Sequence, residues 1–193
     1  MAFELKNLGL SLIDIKKYLQ DKKEIVDSAL ERYFPNQPDS IGKGVFPTSL
    51  YKAIQYSLFA GGKRIRPILS MAAFEAVGGK GDGILPFSCA LEMIHTYSLI
   101  HDDLPAMDND DYRRGKPTCH KVFGEAVGIL AGDALLTEAF RLMTNQTIQE
   151  VSKRHADLIL NVVHEVAQAA GMFGMVGGQV LDIESEGKEV DFP

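Results

Sequence analysis

The chain has 193 residues, of which 46% are hydrophobic and 24% charged, with a formal net charge of −6. That length is enough for one domain, 1–193, with a substantial core. The acidic balance argues against general nucleic-acid binding, because the basic residues are gathered locally rather than spread over a face.

The first 17 residues, MAFELKNLGLSLIDIKK, show no apolar run behind a basic start, so no signal peptide is expected. No stretch approaches the ~18 uninterrupted apolar residues of a membrane span, and a cytoplasmic location is the default expectation. Leu10, Ile13, Ile15, Leu19, Ile25, Ala29, Leu30 and Phe34 predict one long amphipathic helix ending before Pro35. Residues 36–47, NQPDSIGKGVFP, read as a connector. Thr48 or Ser49 caps a helix carrying Leu50, Ile54, Leu58 and Phe59. After Gly61 and Gly62 a third helix runs through Pro67, Ile68, Leu69 and Met71 towards GGKGDG. A fourth is predicted from Leu85 to about Leu104, and two more at about 124–143 and 147–173. No alternating strand pattern stands out. The expected fold is an all-α bundle of antiparallel helices with its polar site in a central cavity. Cys89 and Cys119 have no metal-ligand spacing and read as buried thiols. Gly124, Gly128 and Gly132 share a helical face, which predicts close approach of neighbouring helix backbones, since each glycine costs roughly 1 kcal/mol of helix propensity against alanine.

The chemistry concentrates in HTYSLIHDDLPAMDNDDYRRGKPTCHK, His95 to Lys121. Asp102, Asp103, Asp108, Asp110 and Asp111 stand beside Arg113, Arg114 and Lys116. Carboxylates this dense repel one another unless a cation bridges them. A hard divalent metal with phosphate on its far side satisfies both clusters, the guanidinium forks taking the remaining phosphate oxygens. On an unbroken helix Asp108 would be carried away from Asp102. Pro105 cannot donate the helical hydrogen bond and disfavours helix at Leu104, so the chain is predicted to turn there and return Asp108 to Asp102. His101 beside the acids reads as a supporting hydrogen bond rather than a general base. Upstream, GGKRIRP, Gly61 to Pro67, places tight-turning glycines ahead of Lys63 and Arg66, which one helical turn can aim at the same phosphate. Arg64 is predicted to point elsewhere, as a surface pair partner.

DDLPAMDNDDYRRGKP, with four residues between Asp103 and Asp108, closely resembles the first aspartate-rich motif of the trans-isoprenyl diphosphate synthases. GGKRIRP resembles the isopentenyl diphosphate-binding motif of the same family, and GGQVLDI, Gly177 to Ile183, another of its segments. The resemblance is nearest to bacterial-type farnesyl diphosphate synthases and implies an isoprenoid-synthase-type all-α bundle. It implies that Asp102, Asp103 and Asp108 carry Mg²⁺, with Mn²⁺ a possible substitute, and that Arg113 contacts an allylic diphosphate. Gly62, Lys63, Arg66, His95 and Arg114 would hold isopentenyl diphosphate, with Gln179 also at the substrate site. The implied reaction is head-to-tail prenyl transfer by ionisation, condensation and elimination, the metal acting as Lewis acid and template. A homodimer is implied as well.

Product length is a packing question. At 1.5 Å per residue, Ser98 and Tyr97 lie about 6 to 7.5 Å below Asp102 along the helix. Ser98 leaves room there and Tyr97 can place a ring across the tunnel; the plainer alternative makes Tyr97 a core aromatic. The resemblance favours a C15 product, farnesyl diphosphate, ahead of geranylgeranyl and geranyl diphosphate. It also implies a second aspartate-rich motif and a Lys-Thr pair that this sequence does not reproduce; Asp182, Glu184, Glu186, Glu189 and Asp191 do not form them. The chain therefore reads as the N-terminal two-thirds of such a synthase, with apolar faces of its later helices uncovered, and activity of the 193-residue chain by itself is not an expectation. A non-catalytic synthase-like partner subunit is the competing reading. Terpene cyclase is a third, and gives no reason for GGKRIRP.

Overall fold

The computed structural model describes residues 14–34, 47–149 and 153–189. Leu10, Ile13, nearly all of the predicted connector and Asp191 lie outside the described residues. Three helices come first: α1 (Ile15–Tyr33), α2 (Thr48–Leu58) and α3 (Ile65–Ala76). A single 3₁₀ turn, Asp82–Ile84, leads into α4 (Leu85–Asp102). A two-residue β-ladder, β1 (Tyr112–Arg113) with β2 (Lys116–Pro117), is followed by the short α5 (Cys119–Phe123). The long α6 (Glu125–Gln149), α7 (Lys153–Ala170) and α8 (Met175–Ser185) complete the described order.

The helix predicted to run to about Leu104 ends at Asp102, and the segment predicted over 124–143 extends to Gln149. The β-ladder and α5 were not legible from periodicity, each being too short for a repeating apolar pattern, and α8, Met175–Ser185, was not among the predicted helices.

α4 is the axis of the bundle. Its buried residues, among them Leu85, Cys89, Ala90, Met93, Ile94, Tyr97 and Ile100, occupy nearly its whole circumference. An apolar helix of this kind has to be enclosed. α3 and α6 flank it, α1 and α2 pack across it, and the core is completed from α6 by Ala131, Leu135, Ala139, Leu142 and Met143. α4 and α6 run antiparallel: Leu104 lies over Gly128, and His101, further back along α4, lies over Gly132.

The three-glycine face divides into two uses. A Cβ at Gly132 would collide with the His101 ring, and one at Gly128 would touch Leu104 and His120, so both allow close approach. Gly124 has open space around it and instead takes φ +85° at the α5–α6 junction, a left-handed conformation that glycine adopts without steric cost. His101 uses the room beside Gly132 to bond the Ile129 carbonyl at 3.0 Å, the supporting role predicted for it.

Exposed large apolar residues collect on α7, α8 and the turn between them, among them Leu158, Leu160, Phe173 (83% exposed) in that turn and Leu181, with Ile129 and Leu130 on α6. None lies on α4, which was expected to share this uncovered face. Among the described residues two stretches are long and apolar enough to cross a membrane by length and composition, each interrupted by polar residues. Asp82–Asp102 is mostly buried, as a core helix is; Ala156–Ser185 is almost wholly unburied and is broken between α7 and α8.

Candidate active site

The chain turns sharply after α4. Leu104 N–H bonds the His101 carbonyl at 3.1 Å and Asp108 N–H returns to the Asp102 carbonyl at 2.8 Å. Pro105 sits at the start of this turn, and Asn109 takes φ +53° to close it. The return brings Asp108 against Asp102. Burial first, and the Asp108 charge second, push the Asp102 carboxyl above the ordinary aspartate range. Neither side chain forms an ion pair or a side-chain hydrogen bond among the described residues. A repelling carboxylate pair that no cation contacts directly, Arg113 and His101 acting on Asp102 only at a distance, is a donor set that suits Mg²⁺, which binds through one or two carboxylates and keeps waters or phosphate oxygens elsewhere.

Asp103 is placed differently from its neighbour Asp102. It is 3% exposed, and Arg113 Nε bonds its carboxylate at 2.6 Å. Burial pushes its pKa up despite that partner. Among the described residues no three acidic, imidazole or thiol side chains converge on one point. Asp103 lies about 100° round from Asp102 and faces inward, where Arg113 bonds it. Arg113 also lies 3.4 Å from Asp110.

The two arginines come from one hairpin. Tyr112 pairs with Pro117 and Arg113 with Lys116, leaving Arg114 and Gly115 as its two-residue turn. Both have positive φ, +54° and +76°, as such a turn demands. Arg113 thus reaches the acids, while Arg114 reaches the other way and donates to the Gly61 carbonyl. Its guanidinium fills the space a side chain at Gly62 would need: a Cβ there would lie 2.6 Å from Nη1.

Gly62, Lys63, Arg66, His95 and Arg114 line one open cavity together with Arg64 and Glu92. The structure gathers these predicted residues by a different route from the one expected. Lys63 precedes α3, whereas Arg66 lies in its first turn, so they do not share one helical turn. Burial, then the Arg66 charge, push the His95 imidazole below its usual range, with Arg114 and Arg113 adding to the effect.

Arg64 is not a surface residue. It is 3% exposed, with bonds to Asp27 at 2.9 Å, to Glu92 at 2.7 Å and to the Leu58 carbonyl at 2.9 Å. Glu92 and Asp27 had escaped the sequence reading. A lone acid among the apolar residues of the helix three positions before His95 was the available signal for Glu92, since a buried charge must be paired.

Tyr97 is buried in the seam between α4 and α6, edge-on to His101 with ring centres 5.7 Å apart, and burial followed by the Asp102 charge raises its pKa. Ser98 is half-buried and donates to the His95 carbonyl at 2.9 Å. Gln179 is not brought to the site: it lies on α8, which packs against α7, and it lines neither the basic cavity nor the neighbouring one beneath the hairpin.

In this all-α bundle the carboxylate pair lies at the C-terminal end of α4, and the basic cavity is assembled from the α2–α3 loop, the start of α3, Glu92 and His95 of α4, and Arg114 of the hairpin. Residues 47–192 match the family model for polyprenyl synthetase. The chain belongs to that family. It is 53% identical over 171 residues to a geranylgeranyl diphosphate synthase of Cyanophora paradoxa, covering 89% of this chain and 53% of that protein. It is 51% identical over 176 residues to a farnesyl diphosphate synthase of Bacillus subtilis, covering 91% and 56%. Among solved structures, a putative farnesyl-diphosphate synthase from Marinomonas superposes with TM-score 0.76 at 40% identity, over 94% of this chain and 60% of that one. An FPP/GFPP synthase from Zymomonas mobilis gives 0.71 at 36%, over 100% and 62%. The chain spans about half the length of the curated relatives it matches.

Proposed function

We propose that the protein joins isopentenyl diphosphate to dimethylallyl or geranyl diphosphate, head to tail, to make farnesyl diphosphate with Mg²⁺. The observation that carries this reading is the juxtaposition of two unlike anion sites at the end of α4: Asp102 with Asp108, and Lys63, Arg66, His95 and Arg114 around the basic cavity. Asp102 and Asp108 would hold the metal, and Asp103 serves by fixing Arg113 beside them. When bound, Mg²⁺ neutralises charge on a diphosphate leaving group.

The chain's own residues then have defined tasks. Arg113 offers a guanidinium to the allylic diphosphate, and Lys63, Arg66 and Arg114 bind the second diphosphate. His95 donates a hydrogen bond to it. As the allylic C1–O bond breaks, its electron pair leaves with the diphosphate. The isopentenyl double bond supplies the pair for the new C–C bond, and loss of one proton, to the released diphosphate, re-forms the alkene. No protein nucleophile is required, and positioning and exclusion of water supply the acceleration.

Tyr97, near the Asp102 charge in the α4–α6 seam, is read as the stop for a C15 chain, with Ser98 leaving room above it. Geranylgeranyl diphosphate is the second reading, favoured by the 53% identity to the Cyanophora synthase. A homodimer in the cytoplasm completes the proposal; the exposed apolar residues of α7 and α8 supply surface for association. The test is a product assay on the protein at its full natural length with labelled isopentenyl diphosphate, geranyl diphosphate and Mg²⁺. A C15 product is expected. Absence of any prenyl product from folded protein overturns the reading.

A further inference from the structure

The loop that opens the basic cavity is gripped from both sides by arginines in left-handed conformations. Arg114, at φ +54°, donates to the Gly61 carbonyl from the hairpin. Arg64, at φ +52°, is the residue on which α3 starts, and no side chain caps that helix. A non-glycine residue held there persists only when its surroundings over-determine it. Those surroundings are three acceptors on three elements: Asp27 on α1, the Leu58 carbonyl at the end of α2 and Glu92 on α4. A guanidinium can satisfy all three at once because its donors fan out in a fixed plane, and an ammonium cannot. Glu92 is 2% exposed and lies three residues before His95 on α4. The same ion pair therefore ties the loop to the helix that presents the imidazole.

We propose that Arg64 is a positioning residue: its bonds to Asp27, Glu92 and Leu58 fix the backbone from Gly61 to Lys63, and with it the diphosphate affinity of the basic cavity. The proposal rests on the reading of that cavity as a diphosphate subsite. A buried ion pair by itself is weak evidence even for stability; what sets this one apart is that its cationic member lies in the chain between Lys63 and Arg66.

The test is Arg64→Lys in the 193-residue chain, titrated calorimetrically with inorganic pyrophosphate in the absence of divalent metal, with amide hydrogen exchange followed on the same samples. Arg64→Lys is expected to weaken pyrophosphate binding at least about tenfold, on the scale of one charge-assisted hydrogen bond. Exchange should quicken across Gly61–Ile65 and remain unchanged in α6, a local effect that general destabilisation would not produce. Binding within about twofold of wild type, with unaltered exchange in the loop, overturns the positioning role alone. A wild-type chain that binds no pyrophosphate overturns the subsite reading and the proposal with it. Should Arg64→Lys fail to fold, Asp27→Ala, which removes an acceptor of Arg64 without touching the cavity lining, carries the test. Weaker pyrophosphate binding supports the role, and unchanged binding overturns it.

Discussion

Gly62→Ala tests the geometry of the basic cavity through a single methyl group. Gly62 has φ +137°, and a Cβ there would lie 2.6 Å from Nη1 and 2.9 Å from Cζ of Arg114. Two costs arise. Backbone strain of this kind is of the order of 1–3 kcal/mol. The guanidinium must also leave its place beside Gly61, and loss of a hydrogen bond from a charged donor to a bound phosphate is worth about 1.5–3 kcal/mol. At about 1.4 kcal/mol per decade, the second cost corresponds to roughly a 10- to 150-fold loss of pyrophosphate affinity. The assay is metal-free pyrophosphate titration of wild type, Gly62→Ala, Arg114→Ala and the double variant. Because the affinity cost of the methyl passes through Arg114, Gly62→Ala should lose most of its effect in the Arg114→Ala background, a coupling that a double-mutant cycle isolates. Equal effects of Gly62→Ala in both backgrounds would refute the reasoning.

Three further outcomes follow from the same geometry. Asp108→Asn removes the charge that helps raise Asp102. The raised folded pKa makes the metal-free chain lose stability as pH rises through that value; Asp108→Asn should flatten the loss and abolish the rise in Tm that Mg²⁺ gives wild type, both read by thermal unfolding across pH. His95 is held below its usual pKa, so its contribution to stability is present above about pH 6.5 and lost as pH falls through the folded value. NMR titration of the imidazole should show that depression and its reversal by pyrophosphate, and a titration indifferent to pyrophosphate would remove His95 from the subsite. Tyr97→Ala should lengthen the product of the full-length protein beyond C15, by chromatography of the dephosphorylated alcohols; an unchanged product rules out the stopping role.

Much of the site was legible because single residues forced local outcomes. Pro105 ends α4 by covalent geometry, so the return of Asp108 to Asp102 could be foreseen without the fold. Gly61 and Gly62 announced a tight turn for a similar reason, and both take positive φ. Arg64 was misread because helical spacing was extended over it; its left-handed backbone starts α3 only at Ile65, and no periodicity records that change of direction. The different surroundings of Asp102 and Asp103 were not legible, because neighbouring acids look equivalent in a sequence while the helix turns one outward and the other towards the hairpin. The hairpin itself, two residues a side, is held by Thr118 Oγ1, which donates to the Asp110 carbonyl at 2.8 Å, and by Arg113 and Arg114. Those are contacts over distances that pattern reading does not span. Gln179 was assigned by motif, and the packing of α8 leaves it apart from the residues it was grouped with.

The central claim is that two diphosphate subsites, one metal-dependent and one not, stand side by side at the end of α4. Calorimetric titration of the 193-residue chain with pyrophosphate, with and without Mg²⁺, measures this directly. One binding event is predicted without metal and a second with it. Asp108→Asn should remove only the second, and Arg66→Ala only the first. A single event abolished by both substitutions would contradict the account.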